Sequence, residues 1–599
     1  MRIRHHGSPP KNRNDWKTIR TLMTYVWDFK ARVIFALTLL GLAKVANVGV
    51  PLVLKEIVDA LDKPKALLVF PLFFLLAYGA LRLASSLFAE IRDAVFAKVI
   101  QRAIRKAALK VFRHLHSLGL RFHLERQTGG VSRDIERGTQ GVRFLLNFMI
   151  FNILPTLFEI LLVAAILFIR YDPWFGAIIF ISLISYITFT LIITEWRMIF
   201  RRTMNAMDSK ANTNAIDSLI NYETVKYFNN EDYETRRYDN NLASWEKAAV
   251  KNQTSLSALN AGQSVIIALS ITALMLLAAN GVSKGNMSLG DLVMINAFMI
   301  QLYIPLNFLG FVYREIRHSL ADMERMFDLL EQDPDVKDRE GATPLQMRQG
   351  TIRFEHIGFS YNTDRQILFD VSFDIPAGHK VAVVGSSGAG KSTIARLLFR
   401  FYDATKGRIL IGDQDIRDVT MDSLRANIGV VPQDTVLFND TIYYNIAYGN
   451  PDANRRAIED AAQRAHIHDF ITSLPDGYDT MVGERGLKLS GGEKQRVAIA
   501  RTVLKNPNVL IFDEATSALD SRTEKNIQRE LRDIAVNRTT LVIAHRLSTI
   551  MDADQIIVLD HGKIVERGHH DDLLAKAGHY AHMWTLQQQE ERGHSTTMD

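Results

Sequence analysis

Apolar residues gather in six long stretches in the first half of the chain, separated by short polar segments. The stretches cover residues 33–54, 66–88, 144–169, 174–193, 264–282 and 289–312. A helix needs roughly 20 mostly apolar residues to cross the hydrocarbon core of a bilayer. Buried helices of a soluble domain are the alternative, but six such runs so close together argue against it. The pattern predicts six membrane-spanning helices.

Polar residues inside these stretches indicate which side of each helix is turned away from lipid. Lys44, Arg82, Glu159 and Gln301 all fall within predicted spans. An ionisable or amide side chain is costly against hydrocarbon and usually faces other helices or water. We therefore expect these four side chains to face the interior of the helix bundle or a water-filled space.

Basic residues set the orientation of the spans, because cytoplasmic segments of membrane proteins carry an excess of Lys and Arg. Such residues cluster in 2–32, 98–113, 201–202 and 236–237, whereas the other connections, 62–65, 170–173 and 283–288, are short and carry little net charge. The basic segments and both termini are therefore predicted to be cytoplasmic. The formal net charge of +6 mostly repeats this bias, so it does not argue for a nucleic-acid partner.

Helical patterns continue past the spans through 90–116 and 197–219, so several helices should extend into the cytoplasm. Residues 116–124 and 218–228 fall where these extensions turn back, and they are predicted to contact another domain. An ordinary helix hairpin would give the same pattern. The predicted division is a cytoplasmic tail (1–30), a transmembrane domain (31–330), a linker (331–350), a soluble α/β domain (351–590) and a terminal tail (591–599).

A glycine-rich octapeptide, GSSGAGKS at 385–392, lies between a strand-like and a helix-like run. That is the context of a phosphate-binding loop, in which backbone N–H groups and a helix N-terminus face the phosphates. Lys391 is expected to reach the β and γ phosphates of ATP, and Ser392 a magnesium ion. The residues predicted to bind nucleotide in this loop are Gly385, Ser386, Gly388, Ala389, Gly390, Lys391, Ser392 and Thr393.

Later segments supply candidate catalytic groups. VLIFDE at 509–514 is typical of a buried strand that ends in two carboxylates. Asp513 suits the magnesium shell, and Glu514 suits orienting or deprotonating the attacking water. Without the phosphate loop, both would be interpreted as surface acids. Gln433, in VVPQD, is predicted to link metal and water, and His545, in IAHRLS, to hydrogen-bond the γ phosphate; with Lys391 and Glu514 they complete the catalytic set.

Two more segments concern the nucleotide. Tyr361, in GFSYN, is predicted to stack on adenine, with a core tyrosine as the rival interpretation. Ser490, Gly491 and Gly492 of LSGGE begin a predicted helix whose N-terminus is a second anion site. One nucleotide needs only one such cradle, so this helix is expected to serve the ATP of a second molecule. The sequence thus predicts a head-to-tail dimer with two composite sites.

Together these segments look like an ATP-binding cassette (ABC) ATPase, and with the six spans the chain resembles a half-size ABC exporter. The resemblance implies a domain-swapped, type IV exporter membrane domain of six helices, followed by an α/β phosphate-loop ATPase domain. It also implies ATP and Mg²⁺ as cofactors and a homodimer in a lipid bilayer. VGERG at 482–486 resembles a segment that contacts the membrane domain, and the loop 517–520, ending at Asp520, resembles one that crosses the dimer interface.

The membrane half is similar to the mitochondrial-type exporter family linked to iron-sulfur assembly and heavy-metal tolerance, which moves glutathione-containing compounds. The similar segments are RFHLERQTGG (121–130), DIERGT (134–139), ITEWR (193–197), NYETVKYF (221–228) and PLNFLGFVYREIR (305–317). By position, the resemblance implies a glutathione cavity formed by Tyr186, Arg197, Arg201, Asn260, Gln263, Phe308, Gly310, Phe311 and Arg314. Phe308 and Phe311 stand where methionine is expected in some relatives, which leaves the preferred conjugate open.

The residue chemistry agrees with this substrate class. Arg197 and Arg201 are spaced i,i+4, and Asn260 and Gln263 i,i+3, so each pair can share a helix face. Arginine and carboxamide groups bind the carboxylates and amides of glutathione well. Arginines near an inner membrane boundary are, however, often topology signals.

Other functions are compatible with parts of the pattern. A lipid or multidrug exporter of the same architecture is the main alternative. An ATP-gated channel would need a continuous pore, and a soluble ABC ATPase acting on DNA or ribosomes is opposed by the spans.

Cysteine is absent, so no disulfide or thiolate-held metal belongs to the chain itself. Residues 1–30 are basic and polar, and Gly7, Pro9 and Pro10 interrupt any amphipathic presequence helix. A bacterial inner membrane is expected, in preference to a mitochondrial one.

Overall fold

The structure, a computed structural model, describes residues 15–63, 70–125, 128–306, 309–347, 350–362, 365–486, 488–513, 521–544 and 546–595. The chain divides into two compact units. The membrane unit comprises Met1–Ser117 and Arg126–Gln332, and the α/β unit comprises Leu118–Glu125 and Asp333–Asp599.

Long helices make up the membrane unit. They are α1 (Asp15–Trp27), α2 (Lys30–Leu61), α3 (Leu72–Ser117), α5 (Thr128–Phe148), α6 (Leu154–Arg170), α7 (Pro173–Ile220), α8 (Tyr222–Tyr227), α9 (Glu231–Ser283), α10 (Leu289–Leu306) and α11 (Leu309–Asp328), with α4 (Leu120–Glu125) assigned to the other unit. A π-helical turn, Met149–Ile153, joins α5 to α6.

Within the described residues, six helical segments are long and apolar enough to cross a membrane, which agrees with the predicted number. The start of the second predicted span, residues 66–69, lies outside the described residues. Helix α9 has 53 residues. At about 1.5 Å per residue such a helix is about 80 Å long, against a hydrocarbon core of about 30 Å. The predicted extension of helices beyond the membrane is therefore confirmed.

The core of the membrane unit lies where α6, α7, α9 and α10 meet. Leu167, Tyr186, Leu274 and Phe298, one from each helix, are fully buried there. Apolar residues alone do not account for the packing, because polar side chains also join the spans. The expectation of inward-facing polar groups is confirmed for Lys44, Glu159 and Gln301, because Lys44 and Gln301 both hydrogen-bond Glu159. Arg82 instead is exposed on the single chain.

The α/β unit is built on two sheets. Its strands are β1 (Ile352–Asn362), β2 (Arg365–Ile375), β3 (Lys380–Gly385), β4 (Lys406–Ile411), β5 (Gln414–Asp415), β6 (Ile428–Val431), β7 (Val509–Asp513), β8 (Thr539–Ile543), β9 (Gln555–Asp560) and β10 (Lys563–Gly568). The four-stranded antiparallel sheet has the order β2-β1-β4-β5. The six-stranded sheet has the order β10-β9-β3-β8-β7-β6 and is parallel except for β10.

Helices cover the larger sheet. They are α12 (Lys391–Leu398), α13 (Met421–Asn427), α14 (Ile442–Ala447), α15 (Arg455–Arg464), α16 (His468–Ser473), α17 (Gly491–Lys505), α18 (Ser521–Ala535), α19 (His570–Ala575) and α20 (His579–Ser595). Successive strand residues face opposite sides of a sheet. On β7, Ile511 accordingly packs into one apolar core and Leu510 and Phe512 into the other. Both faces of the parallel strands are buried, which explains their continuous apolar sequence.

Two segments outside the predicted soluble domain belong to the α/β unit. Leu120, on α4, packs against the core that contains β1 and β3, so the prediction that residues 116–124 contact another domain is confirmed. The predicted linker also packs on this unit, where Val336 and Leu345 are buried. Helix α8 falls in the other predicted turn, 218–228, and residues Tyr227 and Phe228 are exposed on the single chain.

Candidate nucleotide and substrate sites

The predicted phosphate loop lies between β3 and α12, as its sequence context requires. Gly385 has φ 152°, and a Cβ there would lie 2.0 Å from the carbonyl oxygen of Leu559. Gly390, with φ 104°, directly precedes α12. Positive φ values and close backbone approach are both costly for residues with a Cβ. The glycines therefore allow the chain to turn sharply from the sheet into the helix.

Lys391 lies inside this loop with only 6% of its surface exposed. Its Nζ donates to the carbonyl oxygens of Gly385, at 2.8 Å, and Ser386, at 3.1 Å. The charged ammonium group of Lys391 therefore lies at the centre of the loop. Such a group, with the N-terminus of α12, provides positive potential for phosphate oxygens.

Ser392 and Asp513 are brought together by the sheet. Strands β3 and β7 both pair with β8, in parallel, so their carboxyl ends meet at one edge. Ser392 Oγ lies 3.4 Å from Asp513 Oδ1. Hydroxyl and carboxylate oxygens are the ligand types that Mg²⁺ prefers. The pair therefore fits the predicted magnesium shell in its donor chemistry.

Gln433 follows β6, the neighbour of β7, and its side chain is exposed. A residue that the sequence did not single out, Gln495 of α17, connects this segment to the LSGGE helix. Gln495 is buried, accepts a hydrogen bond from Thr435 Oγ1 at 2.8 Å and donates to the carbonyl of Pro432 at 3.4 Å. These two hydrogen bonds join the segment that carries Gln433 to α17.

The LSGGE segment begins α17 with a capping box. Ser490 Oγ accepts from the backbone N–H of Glu493, at 3.4 Å, and Glu493 accepts from the N–H of Ser490, at 2.7 Å. Gly491 is exposed and Gly492 is buried. Leu489, just before this helix, and Ala389, in the phosphate loop, pack into different apolar cores. The prediction that the two glycine-rich elements serve different nucleotides stays a prediction.

Tyr361 is partly buried, and its ring contacts Tyr402 edge to face at 5.2 Å between centroids. Its hydroxyl lies 3.1 Å from Thr393 Oγ1 and accepts from Arg396 at 3.2 Å. Burial, followed by the proximity of Tyr361, raises the pKa of Tyr402. Tyr361 is thus anchored to the first turn of α12, and its stacking on adenine stays a prediction.

Three predicted nucleotide residues, Glu514, Asp520 and His545, lie outside the described residues. Described residues at the ends of β7 and β8 come shortly before two of them in the chain. Asp513, which precedes Glu514, pairs in register with Ile543, two residues before His545.

Three of the predicted substrate residues on α7 and α9 are buried, namely Tyr186, Arg197 and Gln263. Arg197 is 3% exposed, and its Nε donates to Ser255 Oγ at 3.2 Å. Gln263 is buried and donates to Thr190 Oγ1 at 2.8 Å, and Tyr186 is fully buried. Arg201 is partly buried one turn after Arg197. Ser255 and Thr190 are contacts that sequence spacing did not indicate.

The remaining predicted substrate residues are less enclosed. Asn260 is exposed, and Phe311 is partly exposed beside Phe144 and Phe148, at ring-centroid distances of 6.1 and 6.0 Å. Gly310 and Arg314 lie on α11, and Phe308 lies outside the described residues.

An ion pair links α11 to α7 in the same region. Arg317 donates to Glu195 at 2.8 Å, and Tyr313 donates to Glu195 at 3.3 Å. Both donors lie in the segment PLNFLGFVYREIR, but their partner was not evident from the sequence.

Six apolar helices, a parallel sheet that carries a phosphate loop, and a separate glycine-rich helix define a half-size ABC transporter. Comparisons support this class for both units. Residues 33–306 match the family described as ABC transporter transmembrane region, and residues 368–517 match the family described as ABC transporter.

Relatives that match nearly the whole chain indicate which family of ABC transporters it resembles. The chain is 50% identical over 596 residues to the "Iron-sulfur clusters transporter ABCB7, mitochondrial" of Danio rerio, covering 96% of this chain and 80% of that protein. It is 50% identical over 595 residues to the "Iron-sulfur clusters transporter ATM1, mitochondrial" of Gibberella zeae, covering 97% and 85%. A solved bacterial Atm1-family ABC exporter with ATP bound is 49% identical, with a TM-score of 0.80 over 93% of this chain and 98% of that one.

The chain belongs to the Atm1/ABCB7 family of half-size ABC exporters. It is a multi-pass membrane protein that binds ATP and couples its hydrolysis to transport, and its half-size architecture makes it a dimer.

Proposed function

We propose that this protein is a homodimer that exports glutathione-containing compounds from the cytoplasm across a bacterial inner membrane, with both termini cytoplasmic. The cargo class comprises oxidised glutathione, metal–glutathione complexes and persulfide or iron-sulfur-related species. The observation that supports this most is Arg197, a buried cation on α7. Within the described part of the chain, Arg197 has no ion-pair partner and its hydrogen bond goes to a neutral hydroxyl.

A buried guanidinium without a carboxylate is costly. A substrate carboxylate supplied from the cytoplasmic side would neutralise it and form charge-assisted hydrogen bonds. Arg201 adds a second cation one turn away, and Gln263 adds an amide to the same helix pair. Glutathione has two carboxylates and several amides, so it matches this set. The relatives named as iron-sulfur cluster transporters favour a cargo related to that chemistry.

In this proposal, transport is driven by hydrolysis of ATP bound between two copies of the α/β unit. Lys391 and the loop N–H groups hold the phosphates, and Tyr361 supports the adenine. Ser392 and Asp513, with Gln433, would hold Mg²⁺, which neutralises phosphate charge when bound. Glu514 takes a proton from the attacking water, and His545 hydrogen-bonds the γ phosphate. Ser490, Gly491, Gly492 and Asp520 of the second copy complete the site.

ATP binding then closes the two α/β units, the membrane helices turn outward, and hydrolysis resets them. In this proposal helix α4 transmits the movement to the spans, because it follows α3 along the chain and Leu120 packs within the α/β unit. Gln495 couples the nucleotide-sensing segment to α17 in the same unit.

A lipid or multidrug exporter is the second candidate. The cluster of Phe144, Phe148 and Phe311 favours it, because a partly exposed aromatic wall binds apolar ligands. The two candidates differ in what stimulates ATP hydrolysis.

The test is ATPase activity and uptake in inverted, reconstituted vesicles. Oxidised glutathione, metal–glutathione complexes, lipids and drugs are compared at matched concentrations, with a Glu514→Gln variant as the hydrolysis-deficient control. Uphill, ATP-dependent uptake of the glutathione compounds supports the proposal. Stimulation by lipids or drugs alone would replace it with the second candidate, and downhill flux without hydrolysis would indicate a channel.

A further inference from the structure

A charged network joins α2, α6 and α10 within the membrane unit, and it includes none of the predicted glutathione residues. Lys44 lies about halfway along α2, and its Nζ is 2.6 Å from Oε2 of Glu159 on α6. Glu159 is 2% exposed and accepts two more hydrogen bonds, from Asn47 at 2.8 Å and from Gln301 of α10. Ionisable groups at this depth are costly and usually mark a transport path.

The two members of the ion pair are not equivalent. Glu159 is enclosed by three donors, and two of them, Asn47 and Gln301, are neutral amides that remain if Lys44 moves. Lys44 is partly exposed, and Glu159 is its contact among the described residues. An ammonium has three N–H donors, so Lys44 can bind a second acceptor or exchange one for another. Lys44 is therefore the mobile partner of the pair.

Lys44 also faces a cavity of about 240 Å³ between α2, α3 and α6. Its polar lining consists of groups that can donate hydrogen bonds, namely Lys44, Asn47, Ser85, Ser86 and Arg92. Arg92 is buried, ion-paired with Asp93 at 2.6 Å and positioned over the ring of Phe151 at 5.2 Å. No carboxylate is among the described residues that line the cavity. Two cations, two hydroxyls and an amide together favour an anion.

We propose that this cavity is a second anion-binding site on the transport path, where Lys44 exchanges Glu159 for a carboxylate of the glutathione-containing substrate. The proposal rests on the proposed function. The cavity is smaller than the roughly 300 Å³ at which ligand pockets usually begin, so it accommodates one carboxylate end and not a whole conjugate. Asn47 and Gln301 keep Glu159 hydrogen-bonded during the exchange.

Lys44 and Glu159 could form a purely structural ion pair, or Lys44 could contact the substrate. The two interpretations predict different effects of replacing each residue, so a double-mutant cycle distinguishes them. The variants are Lys44→Gln, Glu159→Gln and the doubly neutral combination of both. Lys55→Gln is the matched control, because Lys55 lies on the same helix and pairs with Asp59 at 2.9 Å but does not line the cavity. Lys44→Arg tests for rescue by charge. Dimer elution and the melting temperature identify variants that do not fold.

The measured quantity is the oxidised glutathione concentration that gives half-maximal ATPase stimulation in reconstituted vesicles. We expect Lys44→Gln and the double variant to raise it about tenfold, the effect of losing one charge-assisted contact. Glu159→Gln should leave it unchanged or lower it, Lys44→Arg should restore it, and Lys55→Gln should match the unmodified protein.

Two results would overturn the inference: an unchanged value in Lys44→Gln, or a double variant that recovers the value of the unmodified protein, since recovery identifies a purely structural pair. Failure of the proposed function gives a different result. If no glutathione compound stimulates the ATPase activity of the unmodified protein, both the proposed export function and the Lys44 site are contradicted before any variant is compared.

Discussion

The hydroxyl of Ser392 lies 3.4 Å from the carboxylate of Asp513, although 121 positions separate them in the chain. Neither residue determines this distance locally. It arises because β3 and β7 both pair with β8 and end at the same edge of the sheet. The contact joins the phosphate loop to the strand that carries the candidate catalytic acids.

Replacing Asp513 with Asn should lower steady-state ATP hydrolysis at least about 100-fold, or about 2.7 kcal/mol of transition-state stabilisation. An amide keeps the shape of the carboxylate but loses the charge that a magnesium ion requires. ATPase rates measured across a magnesium titration test this. Asp552→Asn is the matched control. Asp552 forms a surface ion pair with Lys380 at 2.6 Å, so its replacement should leave ATP hydrolysis unchanged. Normal hydrolysis by Asp513→Asn would remove Asp513 from the metal site.

Glu514→Gln should retain ATP binding but lose most turnover, because an amide cannot accept a proton from water. The closed dimer should accumulate with ATP trapped. Nucleotide trapping and steady-state hydrolysis, measured side by side, distinguish this from a folding defect. Near-normal hydrolysis would show that Glu514 is not the catalytic carboxylate.

Mixed dimers test the composite site. Subunits with Lys391→Ala combined with subunits with Ser490→Arg should regain partial nucleotide trapping, since both defects fall on the same site and leave the other intact. Ser490 also caps α17, and losing a cap costs about 1 kcal/mol. Ser490→Ala is therefore the control that separates lost capping from steric obstruction. Mixed dimers that trap no more than either parent would contradict two independent head-to-tail sites.

Replacing Arg197 and Arg201 together with Ala should raise the half-maximal concentration of oxidised glutathione by tens-fold or more. Each charge-assisted hydrogen bond in a partly dry site contributes roughly 1.5–3 kcal/mol. Arg202→Ala is the matched control, because Arg202 is the adjacent, exposed arginine. It shares with Arg201 the positive charge that orients the span, but it is not one of the predicted substrate residues. A folded double variant with an unchanged half-maximal concentration would exclude these arginines as the anion site and favour lipids or drugs.

Arg400 should be important for the stability of the α/β unit. Its side chain is 1% exposed and donates to the carbonyls of Lys337, at 3.0 Å, and Val419, at 3.2 Å. Arg400→Met should lower the free energy of unfolding by about 3 kcal/mol, because the buried acceptors lose their donor. Thermal unfolding measures the change. Arg408→Met, which removes an exposed ion pair with Glu355, should cost less than about 1 kcal/mol. Equal effects would contradict the burial argument.

The sequence alone predicted six spans and a phosphate loop, because these features depend on local composition and spacing. The ABC ATPase was implied by the resemblance of its motifs to a known family. Six long apolar runs in succession favour membrane spans on composition alone, and a phosphate loop requires only a preceding strand, its glycines and a following helix. The prediction of a buried strand at 509–513 likewise followed from its continuous apolar residues.

The tertiary structure decided which distant side chains meet. Spacing placed Arg197 and Arg201 on one helix, but the rotation of α7 against α9 buries Arg197 against Ser255 and leaves Asn260 exposed. Composition made residues 331–350 resemble a linker, yet Val336 and Leu345 are buried on the α/β unit. Lys44 and Glu159 lie 115 positions apart, and only the packing of α2 against α6 brings them into contact. Such contacts depend on helix rotation, depth and packing, which no local pattern specifies.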